Sequence, residues 1–245
     1  PGTYVIKRDQ PYRRRAKTLL ERQDYPDPNL RTYDDSGWTM GLAMLADVKE
    51  IKDKSILAVK TTPVTEAVAR GKVTGSGSAG MAVAHFGSNN MIAFRYRLRN
   101  VVMKIADKAF KADGVEFPAG SFVIAAPADM APVRAAVEEL GLTAAALSSV
   151  PSVPMHDADV PRVAIYSSWD RSTQEIGWVR YTFDRFGVPF DLIYKERVKQ
   201  GNLRRDYDVV LVPSQGGSGR AFVQGAEGPK PLPYTKTDQF KFLGE

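Results

Sequence analysis

The chain contains few of the residue types that carry catalysis directly. It has no cysteine and two histidines, His85 and His156. The lack of cysteine excludes disulfides, thiolate metal sites, iron–sulfur clusters and a cysteine nucleophile. A catalytic zinc site needs three protein ligands, yet no His-x-x-Glu begins at His85, and His156 has only Asp157 and Asp159 beside it. We therefore expect no metal or other cofactor in this chain, and we expect His85 to belong to a strand.

Two glycine- and serine-rich segments are candidates for a nucleophile or phosphate loop. They are GSGSAG at 75–80 and GGSG at 216–219. A serine nucleophile elbow needs a strand before it and a helix after it, and each segment lacks one of these signals. Neither segment matches a phosphate-binding pattern. We expect both to be loops without a catalytic role.

The best candidate site is a place in a predicted parallel sheet. The pattern predicts a strand at 163–166, a helix that starts at the capping box 172–175, and strands at 190–194 and 207–213. In a doubly wound sheet, ligands bind beyond the carboxyl ends of the strands. If the strand order is 2-1-3, the first and third strands end side by side. The candidate binding residues there are Ser167, Trp169, Ser214 and Gln215, with Ser168, Pro213 and Gly216 next to them. The alternative is that all of these are ordinary turn residues.

The first 150 residues predict a mixed α/β region. Segment 91–99 alternates arginines with apolar residues like a strand, but Asn89 or Asn90 can cap a helix there, and we favour the helix. A helix from Asp129 to Gly141 lies between strands at 121–125 and 142–147, which predicts parallel pairing of those strands. The remaining predictions are strands at 2–9, 56–59 and 81–86, a helix at 11–22, a short helix or turn at 38–45, and a strand-turn-strand over 101–125.

Proline marks the predicted domain boundary. The segment 151–161 contains Pro151, Pro154 and Pro161 and is predicted to be a linker. We expect an α/β protein with an accessory region at 1–150 and an incomplete flavodoxin-like, doubly wound parallel sheet at 162–245. The second part shows only three clear strands and one strong helix. We therefore expect extensive apolar contact between the two halves, with Phe183, Phe186, Ile193 or Leu211 shielded by the first half or by further chain.

The charge and hydropathy of the chain indicate whether it binds nucleic acid or a membrane. The formal net charge is +6, from 34 basic and 28 acidic residues, and the excess is spread thinly along the chain. The dense basic run at 13–15 is more typical of a solvated helix face than of a nucleic-acid interface. No stretch of about 18 apolar residues is present. We expect neither nucleic acid nor membrane as a partner.

Several segments of the sequence resemble a known protein family. Residues 161–217, PRVAIYSSWDRSTQEIGWVRYTFDRFGVPFDLIYKERVKQGNLRRDYDVVLVPSQGG, resemble the class I glutamine-amidotransferase-like domain at the C-terminal end of certain large bacterial carboxypeptidase A-like zinc metallopeptidases. The segments DQPYRRRAKTLLERQDYP, YDDSGWTMGLAM, VTGSGSAGMAVAHFGSNN and RYRLRN are similar to the region between the peptidase domain and that domain. The resemblance covers most of the chain.

The resemblance implies a non-catalytic role for this chain. The zinc ligands of the family belong to a peptidase domain upstream, so zinc, the peptide substrate and that domain are the implied cofactor and partners of the longer protein. An active amidotransferase would need a cysteine, which is absent here. Family members are exported, which implies a periplasmic or secreted location. The alternative function is a small-molecule or carbohydrate-binding, amidotransferase-like module without catalysis.

Overall fold

A computed structural model describes residues 3–24, 27, 29, 37–44, 46–67, 70–167, 173–213 and 237–239. The chain divides into two compact units. The first comprises Pro1–Arg70 with His85–Ser88, and the second comprises Gly71–Ala84 with Asn89–Glu245. None of the helices among the described residues has the length and apolar character needed to cross a lipid bilayer.

The first unit has little regular structure. Its helices are α1 (Arg13–Leu20) and α2 (Met40–Ala43), as predicted, with a 3-10 helix at Lys54–Ala58. The predicted strand at 2–9 is wrong for its described part, because Tyr4 and Ile6 are exposed and no described strand pairs with residues 3–9. The predicted strand at 56–59 is also wrong. The Asp53 carboxylate accepts a hydrogen bond from the Ser55 amide and so starts the 3-10 helix instead.

The second unit begins with a six-stranded mixed sheet. Its elements in chain order are β1 (Lys72–Thr74), β2 (Gly80–Val83), α3 (Asn90–Arg97), β3 (Lys104–Ala106), β4 (Phe110–Ala112), β5 (Val115–Phe117), β6 (Phe122–Ala125), α4 (Ala131–Glu139), β7 (Thr143–Leu147) and β8 (Met155–Asp157). The strand order is β1-β7-β2-β6-β3-β8, while β4 and β5 form a separate hairpin. The helix at 91–99 is confirmed.

The predicted parallel pairing around α4 is wrong. Strands β6 and β7 run in the same direction, but β2 lies between them and pairs antiparallel with both. Strand β7 pairs in parallel with β1 instead. A strand-helix-strand pattern fixes the relative direction of its two strands, and it leaves room for a third strand to insert.

The sheet is covered on both faces by its own neighbours in sequence. Strand β2 alternates between two clusters, with Met81 and Val83 packed under the helices, and Ala82 on the opposite face. Helices α3 and α4 supply the first cluster with apolar side chains such as Phe94. The hairpin supplies the second cluster, in which the rings of Phe110 and Phe117 stack at 4.8 Å between centroids. This arrangement leaves neither face of the sheet bare.

The proline-rich segment at 151–161 contributes to this sheet. Residues Met155–Asp157 form the edge strand β8, which pairs antiparallel with β3. The backbone of Asp107 bonds to the carbonyl of Pro154 at 2.9 Å, just beyond the pairing.

The end of the second unit is a three-stranded parallel sheet. Its elements are β9 (Val163–Tyr166), α5 (Thr173–Phe186), β10 (Asp191–Ile193), α6 (Lys195–Lys199), α7 (Leu203–Asp206) and β11 (Val209–Leu211). The order is β10-β9-β11 and every pair is parallel, so the condition that the predicted strand-end site required, order 2-1-3, is met. The α/β class of the chain follows from the two sheets and their helices.

Helix α5 ends where the sequence predicts. Gly187 has a φ of +65°, the left-handed conformation that glycine adopts most easily. The amide of Val188 donates to the carbonyl of Phe183 at 2.9 Å, and the amide of Gly187 donates to the carbonyl of Asp184 at 3.3 Å. These two bonds form a Schellman motif, which satisfies the last carbonyls of the helix.

Extensive apolar contact between the two halves is not found among the described residues, whose buried clusters each lie on one side of the 151–161 segment or within it, while shielding by further chain stays a prediction. Ile193 is buried, but it packs with Ala164 and Tyr166 of its own sheet. The ring of Phe183 contacts Phe190 at 5.8 Å between centroids, again within the same part. Of the four named residues, Phe186 lies beside the first half, in a cleft next to α3. Helices α3 and α4 cover one face of the six-stranded sheet and the β4–β5 hairpin covers the other, which explains the limited contact with the C-terminal sheet.

Candidate functional site

The predicted strand-end pocket lies only partly within the described residues. Ser167 follows β9, and its amide donates to the carbonyl of Ile193 at 2.9 Å. Continuing the pairing of Ile165 with Leu211 brings Ser167 level with Pro213, which is buried. These two residues therefore share the carboxyl edge of the sheet, as predicted. The other candidates, Ser168, Trp169, Ser214, Gln215 and Gly216, lie outside the described residues.

The glycine-rich loop at 75–80 has a packing role. A Cβ atom on Gly77 would lie 2.0 Å from the carbonyl carbon of Leu147, so only glycine fits there. The amide of Ala79 donates to the carbonyl of Leu147 at 2.9 Å. The loop therefore wraps tightly around the end of β7, and close backbone approach explains its glycines. The segment 216–219 lies outside the described residues.

A hydrogen-bonded carboxylate fixes the hairpin beside this loop. Asp113 and Gly114 both have positive φ, +47° and +78°, as a tight two-residue hairpin turn requires. The Asp113 carboxylate accepts bonds from the hydroxyl of Ser148 at 2.6 Å and from its amide at 3.0 Å. These bonds lower the pKa of Asp113. A carboxylate held in its ionised form as an acceptor is a structural tie and a poor general acid.

The two histidines occupy exposed positions. His85 lies after the end of β2 and is exposed, so the expectation of a strand histidine is wrong. The Nδ1 atom of His156 lies 2.6 Å from Oδ1 of Asp107, which directly follows the neighbouring strand β3. Asp157 instead pairs with Lys104 at 2.8 Å. Within the described ranges, no three His, Asp or Glu side chains gather as metal ligands would.

An ion-pair network joins the amino-terminal ends of β9 and β11. The guanidinium of Arg162 donates to both carboxylate oxygens of Asp208, at 3.0 and 3.1 Å. Asp206 accepts bonds from Arg205 and from Arg197, and these lower its pKa to about 2. The network ties α6 and α7 to the sheet, on the edge opposite to Ser167, and its carboxylates are all paired.

A cleft of about 460 Å³ lies beside α3 and is bounded by the end of α5. Its polar lining includes three arginines, namely Arg97, Arg99 and Arg185, together with Asn90 and Tyr96. Its apolar lining consists of Ala93, Leu140, Phe186 and Pro189. The hydroxyl of Tyr96 donates to the carbonyl of Pro161 at 2.9 Å, which ties α3 to the start of β9. Burial raises the pKa of the Tyr96 hydroxyl, so it remains a donor.

Sequence reasoning did not find this cleft. The alternating arginines of 95–99 were visible, as was Arg185 in the last turn of the predicted helix. What brings them together is the packing of α3 against α5, two helices about 80 residues apart in the chain. A local sequence pattern does not predict contact between helices so far apart in the chain.

Comparison of the chain with family models, with curated proteins and with solved structures finds no match.

Proposed function

We propose that this chain is the non-catalytic C-terminal portion of a longer zinc carboxypeptidase-like protein, with the peptide-hydrolysing domain upstream. The observation that carries this proposal is the parallel sheet β10-β9-β11. The resemblance at 161–217 implies the first strands of an amidotransferase-like domain, and the sheet has the order expected for such a beginning. The rest of the support is the similarity of the preceding segments.

In this proposal residues 162–245 belong to an incomplete flavodoxin-like sheet. Strand β11 lies at the edge, and its outer side pairs with no strand in the part of the chain that the structure describes. Val209, Val210 and Val212 are 43, 38 and 44% exposed. Parallel sheets are normally covered on both faces and have protected edges. A neighbouring strand and covering helices would complete the sheet.

The proposed role is packing and positioning. The zinc of the upstream domain would polarise the scissile carbonyl and activate a water molecule. This chain would contribute surface that contacts the peptidase domain and borders the path of the peptide substrate. The proposed location of the longer protein is the periplasm or the extracellular space.

The size and location of the native protein test this proposal. Antibodies raised against the chain should detect, in fractionated cells of the source organism, a species much longer than 245 residues in the exported fraction. Zinc analysis of the purified species should give about one ion per molecule, as a single catalytic site requires. Detection of a cytoplasmic species of this chain's own length would contradict the proposal.

A second candidate is a small-molecule or carbohydrate-binding module without catalysis. The arrangement of Ser167 and Pro213 at the carboxyl edge of a parallel sheet favours it, because this edge is where such folds bind ligands. Specific binding raises the midpoint of thermal unfolding by mass action. A screen of sugars and amino acids should then yield a ligand whose effect is lost in Ser167→Leu. If no compound in the screen raises the midpoint of thermal unfolding, this second candidate function is contradicted.

A further inference from the structure

We propose that the cleft beside α3 binds an organic anion, with a carboxylate or phosphate head held by Arg99 and Arg185 and an apolar body against Phe186 and Leu140. This site is separate from the strand-end edge and does not depend on the accessory role. Three observations carry it: the unpaired charge, the fixed walls and the mixed lining of the cleft.

The cleft carries unneutralised positive charge. Arg97 is paired with Glu139, with 2.5 Å between guanidinium and carboxylate. Arg99 and Arg185 form no ion pair with any described residue. Three guanidiniums and one carboxylate leave a net charge of +2 at the cleft. Guanidinium groups bind carboxylates and phosphates in a bidentate manner, which makes an oxyanion the matching ligand.

Neither Arg99 nor Arg185 donates a hydrogen bond to a helix-end carbonyl among the described residues. Basic residues near a helix C-terminus often serve its free carbonyls. Here the carbonyls of Phe183 and Asp184 already accept bonds from the amides that follow α5. The carbonyl of Leu98 after α3 accepts bonds from the Val101 amide and the Arg95 guanidinium. The guanidinium groups of Arg99 and Arg185 have no hydrogen-bond partner among the described residues, so both can bind an anion.

The walls of the cleft are fixed before any ligand binds. The side-chain amide of Asn90 donates to the carbonyl of Leu140 at 2.7 Å, which joins α3 to the end of α4. The Tyr96–Pro161 bond holds α3 to the start of β9. Gly187 and its Schellman bonds fix the end of α5 beside Phe186. Fixed walls lower the entropic cost of binding.

The size and the apolar lining indicate more than a bare inorganic ion. A volume of about 460 Å³ falls within the range of small-molecule pockets, which are mostly apolar with a few placed polar groups. Phe186, Leu140, Ala93 and Pro189 provide an apolar surface beside the arginines. A ring or a short hydrocarbon attached to the anionic head would contact it.

Titration calorimetry of the full chain tests the site with four probes: phenylacetate, phenyl phosphate, inorganic phosphate and the uncharged phenylacetamide. We expect saturable binding of phenylacetate or phenyl phosphate, and the stronger of the two identifies the preferred head. Inorganic phosphate should bind more weakly than phenyl phosphate, and phenylacetamide should not bind. Equal binding of both phosphates would overturn the apolar part of the assignment, and binding of phenylacetamide would overturn the anionic part.

Matched variants locate the binding. Arg99→Gln and Arg185→Gln should each weaken the preferred anion by about tenfold or more, the loss expected for a charge-assisted hydrogen bond. Arg180→Gln is the control, because Arg180 is an exposed arginine of α5, the helix that carries Arg185, and it does not line the cleft. It should change the affinity less than twofold. No saturable binding to the unmodified chain, or an equal loss in the Arg180→Gln control, would overturn the proposal. Circular dichroism verifies that each variant is folded.

Discussion

Replacing Gly77 with alanine would place a methyl carbon inside the backbone of β7. The added Cβ would lie 2.0 Å from the carbonyl carbon of Leu147, 2.1 Å from its oxygen and 2.3 Å from the amide nitrogen of Ser148. Ordinary contacts between such atoms are about 3.5 Å or longer. The loop must therefore move away from the strand by more than an ångström, because backbone atoms cannot rotate aside as a side chain can.

The expected loss of stability follows from two contributions. Overpacking of this kind costs roughly 1–3 kcal/mol, and backbone atoms place Gly77 at the upper end. The displaced loop also weakens the bond from the Ala79 amide to the Leu147 carbonyl, which contributes about 1 kcal/mol. We expect Gly77→Ala to lower the free energy of unfolding by about 3–4 kcal/mol. For a chain of this size the thermal midpoint would fall by roughly 6–16 °C.

Urea unfolding followed by far-ultraviolet circular dichroism measures this loss. Gly177→Ala is the matched control, since Gly177 lies inside α5 and an added Cβ there would meet no atom within 4 Å. The control should be unchanged or more stable by up to about 1 kcal/mol, because alanine favours a helix over glycine. If Gly77→Ala unfolds within about 0.5 kcal/mol of the unmodified chain, the packing explanation of the glycine-rich loop is refuted.

Two further predictions concern the core and the ion-pair network. Phe94→Ala removes a fully buried ring of α3 and should cost about 3–5 kcal/mol in urea unfolding, whereas Ile92→Ala, on the exposed side of the same helix, should cost much less. A small effect at Phe94 would contradict the packing of α3 on the sheet. The pKa of Asp206 is lowered from its ordinary value of 3.8 to about 2. The stability that its ion pairs contribute is therefore fully present above about pH 3.8 and is lost as the pH falls through about 2. The stability difference between the unmodified chain and Asp206→Asn should therefore be constant above about pH 5 and shrink toward pH 2; a difference independent of pH would count against the network.

Local signals in the sequence predicted the elements whose formation depends on near neighbours. The apolar run before His85 predicted the buried strand β2, and the Ile176–Phe186 pattern with Gly187 predicted α5 and its end. The parallel direction of the C-terminal strands followed from the alternation of strands with helices. In each case a few adjacent residues determine the outcome.

Features that depend on distant pairing were not predictable in this way. The insertion of β2 between β6 and β7 depends on which edges meet, and no local pattern reports that. Tyr4 and Ile6 alternate as a strand would, but they have no partner strand in the part of the chain that the structure describes. The same limit applies to the site. Ser167 could be placed at a strand end, while the meeting of Arg99 with Arg185 depended on helix packing that the sequence does not display.

A peptidase assay with zinc tests the central claim, that this chain is not itself the catalytic part, most directly. The chain is incubated with excess zinc and a blocked dipeptide that has a free C-terminal carboxylate, and release of the terminal amino acid is followed. The zinc solution without protein is the blank, and a zinc carboxypeptidase is the positive control. The account predicts no release above the blank at any zinc concentration. Zinc-dependent release that saturates with substrate and is abolished by a chelator would contradict it.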